Sequence, residues 1–204
     1  TPTKYDIFIS AKQAGINIGV LSALIQAGAL QSYKTKRSRL VLEAQSFNLL
    51  TDREKRNFIQ LGPKFNYDVL NTIKAATQDK ILGDDNKRLM ADKRFETFKK
   101  KYLKYKEIWE KNRVYEDFAN WFFEKKLLGY SYSTKLKSVF SKEKPLMNSY
   151  EVEASENNDR IYMVGVVNDC FKRRSRNGNQ YAKIEMSDEL GFLHGMLMDT
   201  QRQP

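Results

Sequence analysis

The stretch that decides the fold is Arg160–Cys170 (RIYMVGVVNDC), followed by Phe171–Gln180 (FKRRSRNGNQ), Tyr181–Glu189 (YAKIEMSDE), Leu190-Gly191 and Phe192–Asp199 (FLHGMLMD). The first, third and last of these are rich in β-branched, aromatic and alternating apolar residues, which predicts three strands. Asn177-Gly178 and Gly191 supply the two turns. Three strands in succession, joined by short turns, read as the opening of a small antiparallel barrel.

The connection between the first two strands carries Lys172, Arg173, Arg174 and Arg176. Cations gathered at a hairpin tip suit phosphate, and this is the pattern of an OB-fold that grips single-stranded nucleic acid. Phe171 and Tyr181 flank the tip, where they stack on bases or join a core. The plain alternative is an edge hairpin kept soluble by its charge.

Upstream the chain reads as helical. Tyr5, Phe8 and Ile9 fall on one face of a short helix, and Val20, Leu21, Leu24 and Ile25 line a second that ends at Ala27-Gly28. Between them lies Gly15-Ile16-Asn17-Ile18-Gly19, the layout of a helix-hairpin-helix. There glycines admit a phosphate to the backbone, and the amides opening the second helix donate to it. An ordinary αα-hairpin with a glycine turn has the same outline. A third helix covers about Ser38–Leu50, with Leu40, Val41, Ala44 and Phe47 inward. Thr51-Asp52-Arg53-Glu54 is a capping box for a fourth, which Gly62-Pro63 stops. Tyr67–Thr77 makes a further short helix.

From Asp92 to Leu128, Phe95, Phe98, Tyr102, Tyr105 and Trp109 recur at helical spacing, and Tyr115, Phe118, Ala119 and Phe122 repeat the pattern before Gly129. Aromatics on a single helix face form core, and Lys99, Lys100, Lys101 and Lys104 form the solvated side. Asp84-Asp85 reads as a turn. Tyr150–Asp159, polar and acidic, reads as a linker into the β region. The organisation expected is therefore 1–34 helix-hairpin-helix, 35–150 helical connector, 151–159 linker and 160–204 the N-terminal part of an OB-fold. The fold class is α+β.

The chain has 204 residues, of which 41% are hydrophobic, and 36 Lys+Arg against 25 Asp+Glu give a net charge of +11. That is enough apolar material for a packed core, and the surplus favours a polyanionic partner, nucleic acid or an acidic membrane face. One cysteine, Cys170, excludes an intrachain disulfide and a cysteine zinc cluster; on a strand it is expected to be a buried, inert thiol. One histidine, His194, leaves no histidine-based metal site and is expected to be a strand residue without chemistry. No apolar run is long enough to span a bilayer, and the start at Thr1 shows no signal-peptide pattern. The expectation is a piece of a longer protein.

The order of parts resembles one family. Ile18-Gly19-Val20-Leu21-Ser22-Ala23-Leu24-Ile25-Gln26-Ala27-Gly28-Ala29-Leu30 is similar to the second helix of the helix-hairpin-helix in the α-subunit of bacterial replicative DNA polymerase III, a family C polymerase. There this helix ends in Leu-Ile-x-Ala-Gly-Ala-apolar. Arg37, Arg39 and the Leu40 helix follow as in that family. Glu124-Lys125-Lys126-Leu127-Leu128-Gly129-Tyr130 resembles its Glu-Lys-Glu-apolar-Leu-Gly-Phe/Tyr segment. The stretch Val164–Gly191 resembles its OB domain. The chain departs from the family at Ser131-Tyr132-Ser133-Thr134, where Leu-Ser-Gly-His-Pro is usual, as in a divergent member encoded by a phage or other mobile element. Gln60-Leu61-Gly62-Pro63-Lys64-Phe65 faintly resembles the peptides that plug into sliding clamps, although Gly-Pro interrupts it.

The resemblance implies a cytoplasmic DNA-directed DNA polymerase whose palm carboxylates, holding Mg2+, lie upstream of this segment. The segment itself then has no catalytic residue and no cofactor. Its implied partners are double-stranded DNA at Gly15, Ile16, Asn17, Ile18 and Gly19, single-stranded DNA at Lys172, Arg173, Arg174 and Arg176, and a sliding clamp with other replisome proteins; no membrane is implied. Two other readings stay open from the residues alone: a stand-alone nucleic-acid-binding adaptor, and a helical interaction scaffold whose basic surface aids solubility.

Overall fold

The computed structural model describes residues 2–78, 80–83, 86–140 and 145–198; Asp84-Asp85 lies outside them. The chain is α+β, with helices followed by one small open antiparallel sheet. It divides into two compact units, Thr1–Glu116 and Asp117–Pro204. Among the described residues no helix is long and apolar enough to cross a membrane.

The first unit holds α1 (Lys4–Gln13), α2 (Ile18–Gln26), α3 (Arg37–Asn48), α4 (Asp52–Leu61), α5 (Val69–Ala75) and α6 (Asp92–Asn112). Local chemistry sets most of the boundaries. Thr3 and Asp6 form a capping box at α1, and Thr51 and Glu54 form another at α4. The Glu54 carboxylate also accepts two bonds from Arg94, each 2.8 Å, and Arg94 donates onward to the Leu49 carbonyl at 2.9 Å. This bidentate pair ties the start of α4 to α6. α3 has no side-chain cap of its own; the Glu116 carboxylate accepts the Ser38 amide at 3.2 Å and the Ser38 hydroxyl, a negative group at the positive end of a helix.

The core of this unit is aromatic. The Tyr5 ring lies 4.9 Å from Phe58, 5.3 Å from Phe47 and 5.1 Å from Tyr67. Phe95, Phe98 and Tyr102 are buried and Trp109 packs against the same cluster, while Lys100, Lys101 and Lys104 are exposed, as the helical spacing predicts; Tyr105, expected on the same stripe, is exposed, and Lys99, expected on the solvated side, is half-buried. Leu21 and Ile25 are buried, but Val20 and Leu24 on the same helix face solvent, so the core-facing stripe of α2 is narrower than expected. Leu61 and Gly62 are buried at the end of α4, where a Cβ on Gly62 would sit 2.3 Å from the Tyr67 ring. The clamp-like segment is therefore part of the core at this point.

The second unit holds α7 (Glu116–Leu128, whose first residue closes the first unit), α8 (Leu136–Phe140), α9 (Ser149–Glu153), β1 (Val166–Arg174), β2 (Gln180–Ser187) and β3 (Phe192–Met198). The strands run in the order β1-β2-β3, antiparallel throughout. Two expectations are corrected here. The segment read as linker from Tyr150 onward is helical up to Glu153, because Asn148 and Glu151 form a capping box. β1 begins at Val166 rather than Arg160, and Met163 only bridges Met147. In α7 the fully buried aromatic is Trp121, whereas Phe122 is exposed, as is Tyr115 in the turn that precedes the helix. Glu124, also fully buried, accepts from the Ser131 hydroxyl (3.0 Å) and the Tyr132 and Ser133 amides (2.8 and 3.0 Å), and so fixes the loop after Gly129.

Candidate nucleic-acid interface

In the first unit the predicted residues Gly15 to Gly19 form a single turn. Gly15 has φ +80°, and the Gly15 amide donates to the Lys12 carbonyl (3.0 Å) while the Ile16 amide donates to that of Ala11 (2.9 Å). This is a Schellman ending for α1. Asn17 caps α2 by accepting the Val20 amide at 2.9 Å. Among the described residues no acceptor meets the Ile18 and Gly19 amides, which open the helix. The two glycines have different work: Gly15 takes a left-handed conformation in open space, and a Cβ on Gly19 would meet the Asn17 side-chain oxygen at 3.2 Å.

Gly15, Ile16, Asn17 and Ile18 line a cleft of about 380 Å³, together with Lys12 and Lys55, which sequence reasoning missed. Asp52 lies 2.6 Å from the Lys12 ammonium and 3.8 Å from that of Lys55. The Lys55 side chain is only 6% exposed, and its ammonium lies 5.6 Å from the Phe47 ring centroid. Burial lowers its pKa and the Lys12 charge lowers it further, with Asp52 opposing. No sequence spacing signals this trio, because Lys12 and Asp52 are 40 positions apart.

In the second unit the ladder runs further than the sequence suggests. Phe171, Lys172, Arg173 and Arg174 pair with Lys183, Ala182, Tyr181 and Gln180, so they belong to β1 and not to the tip. The tip is Ser175–Asn179, closed by the Ser175 amide on the Asn179 carbonyl (2.8 Å) and by the Gly178 amide on the Ser175 carbonyl (3.0 Å), with Gly178 at φ +79°. Arg176 sits in this loop.

The register divides the predicted cations. Side chains alternate between faces along a strand, and residues directly opposite share a face. Phe171, Lys183 and Met196 form one row and Arg173, Tyr181 and Met198 the next, on one face. Lys172, Ala182 and Leu197 form a row on the other face, with Cys170, Ile184 and Gly195 beside it. Lys172 and Arg174 therefore do not join Arg173. Instead Lys183 completes an aromatic and basic face with Phe171, Arg173 and Tyr181. The signal was present as two i, i+2 pairs, Phe171/Arg173 and Tyr181/Lys183. Phe171 is 48% exposed, and Arg173 and Lys183 are exposed as well. Cys170 is exposed, contrary to the expectation of a buried thiol, as is all of β1 from Val167 to Arg174. His194 lies on β3 and is exposed.

The turn between β2 and β3 anchors this sheet to its helices. The buried Asp188 carboxylate accepts the Ser149 amide (2.6 Å) and hydroxyl (2.7 Å), and the Leu190 (2.8 Å) and Gly191 (3.0 Å) amides. Burial raises its pKa, but these hydrogen bonds outweigh that and leave it lowered. Glu189 accepts from the Trp121 indole (3.2 Å) and the Leu136 amide (3.1 Å). The Lys125 ammonium donates to the Ser187 hydroxyl at 3.0 Å and to the Asp188 carbonyl, and lies 5.2 Å from the Trp121 ring centroid.

Among the described residues no three His, Cys, Asp or Glu side chains converge as a metal site. Comparison with family models, with curated proteins and with solved structures finds no match to this chain.

Proposed function

We propose that the chain binds DNA through its backbone and without base readout, as a non-catalytic part of a replicative DNA polymerase. The reading rests chiefly on one observation: Phe171, Arg173, Tyr181 and Lys183 share one face of the sheet, with both cations exposed. Aromatic rings with cations beside them hold single strands by stacking and charge, whatever the sequence. The turn at Gly15–Gly19 supports the same reading for duplex, since its two unmet amides and the adjacent Lys12 suit a phosphate. The OB-fold and the helix-hairpin-helix belong to this proposal, and the polymerase attachment rests on the resemblance in three ordered blocks of sequence.

The test is the salt dependence of binding to a primer-template, read by fluorescence anisotropy. If about five phosphates are neutralised, log K falls against log salt with a slope of about −4. Replacing Arg173 and Lys183 with Ala flattens the single-strand slope by about 1.4. A wild-type slope near zero, or no binding at low salt, refutes the proposal and favours an interaction scaffold.

A further inference from the structure

We propose that Lys55 is a nucleophilic amine that forms an imine with an aldehyde in the cleft beside the Gly15–Gly19 turn, and that this aldehyde is the opened sugar of DNA that has lost a base. The choice of aldehyde rests on the DNA-binding reading; the reactivity of the amine does not.

The amine is held apart from the groups that would keep it protonated and bonded. Lys55 lines the cleft from α4 with a side chain only 6% exposed. Its nitrogen makes no hydrogen bond among the described residues: Asp52 stands 3.8 Å away and makes its short contact, 2.6 Å, with Lys12. The nitrogen is not among the fully enclosed polar atoms that lack a partner, so it opens on the cleft. The walls from α1, α2, α3 and the turn are largely apolar, with Phe8, Ile16, Ile18, Leu21, Ala44 and Phe47. The charged groups that face Lys55 are Lys12 of α1 and Asp52 of its own helix. Burial lowers its pKa and Lys12 lowers it further, while Asp52 opposes without cancelling them. A lysine desolvated in an apolar pocket and set beside another cation is an activated nucleophile, because more of it is free amine at neutral pH. A perturbed amine in a cleft, with a named charge partner, marks a functional site.

The position of the cleft selects the substrate. Gly15 to Ile18, the turn assigned to the duplex backbone, form part of its wall. An intact deoxyribose carries no aldehyde; a sugar without its base opens to expose one at C1′. The cleft of about 380 Å³ lies at the small end of the range for small-molecule sites, about 300–1,000 Å³, and suits a sugar that no longer carries a base. The free amine adds to C1′, the nitrogen loses its protons, and the C1′ oxygen leaves as water. The C=O bond becomes C=N, one water is released, and no oxidant or reductant is consumed.

The experiment incubates the full chain with a duplex carrying one abasic site and sodium cyanoborohydride, which fixes an imine as a stable amine. The expected result is one covalent adduct per chain, mapped by peptide mass spectrometry to Lys55. The map is read on the wild type and so needs no variant. The adduct is lost in Lys55→Arg, which keeps the charge, and in Lys55→Met, which keeps the length of the side chain. In parallel, limiting formaldehyde with the same reductant labels Lys55 ahead of the exposed Lys100 and Lys104. Lys12→Met removes that lead, because the like charge that favours the free amine is gone; a Lys55 that only packs would show neither the lead nor its loss. Fluorescence anisotropy on the abasic duplex separates the two readings. Duplex binding without an adduct, or with the adduct on other lysines, overturns this inference alone, and so does formaldehyde labelling of Lys55 no faster than of Lys100 and Lys104. Absence of duplex binding overturns the DNA-binding reading, and with it the assignment of this aldehyde.

Discussion

Asp188→Ala tests the frame that holds the sheet. The substitution removes four accepted hydrogen bonds. The two from Ser149 are the more consequential, because Ser149 is buried and its amide and hydroxyl are left without an acceptor. Bonds to a charged group contribute about 1.5 kcal/mol each at the lower end. The amides of Leu190 and Gly191 regain water more readily, so about 0.5 kcal/mol each is assigned to them. The sum is about 4 kcal/mol, among the largest effects expected of a single substitution. With a urea m-value near 1 kcal/mol/M for a unit of this size, the midpoint of the second unit falls by about 4 M, which leaves it close to unfolded in water. Ser149→Ala, which loses one of the four bonds, falls by about 1.5 M on the same scale.

Tryptophan fluorescence reads the result unit by unit, since Trp109 lies in the first unit and Trp121 in the second. In a Trp109→Phe background only Trp121 reports. The folded pKa of Asp188 is lowered, so its contribution is present above the unfolded value of about 3.9 and is lost as pH falls below it. The acid limb of the stability curve therefore flattens in Asp188→Ala. A midpoint within about 0.5 M of wild type, or an unchanged acid limb, refutes the reasoning.

Gly15→Ala is expected to cost about 1 kcal/mol in the first unit, from the left-handed backbone alone, because nothing lies within 4 Å of the added Cβ; thermal denaturation measures it, and a loss above about 3 kcal/mol contradicts the open setting. Glu124→Ala removes an acceptor from three donors in the loop after Gly129 and destabilises the second unit by about 3 kcal/mol. Limited proteolysis should then cut first between Tyr130 and Thr134.

Local chemistry was legible in the sequence wherever it acts over a few residues. The Thr51–Glu54 capping box, the glycine endings of α1, α2 and α7, the aromatic stripe of α6 apart from Tyr105, and the two turns between strands stand where the spacing puts them. Contacts between distant positions were not legible. Glu116 capping α3, Asp188 holding Ser149 and the Lys12–Asp52–Lys55 trio are set by packing, which no local pattern encodes. The division of the chain after Glu116 falls inside the segment read as connector, because α7 to α9 hold the β2–β3 turn and so belong with the sheet. The four hairpin cations looked equivalent because a cluster in sequence hides strand parity. Pairing registers separate Arg173 from Lys172 and Arg174 and bring in Lys183. Asn148 and Glu151 were a readable capping box, overlooked because the acidic stretch around them resembles a linker.

The most direct measurement sets two variants against two ligands: Phe171→Ala/Arg173→Ala/Tyr181→Ala and Gly15→Ala/Gly19→Ala, each titrated with a single-stranded oligonucleotide and with a blunt duplex. The account predicts that the sheet variant loses single-strand affinity by at least about tenfold, from stacking of about 1–3 kcal/mol per base, and keeps its duplex affinity. The turn variant should do the reverse. Equal losses on both ligands, or none on either, would contradict it.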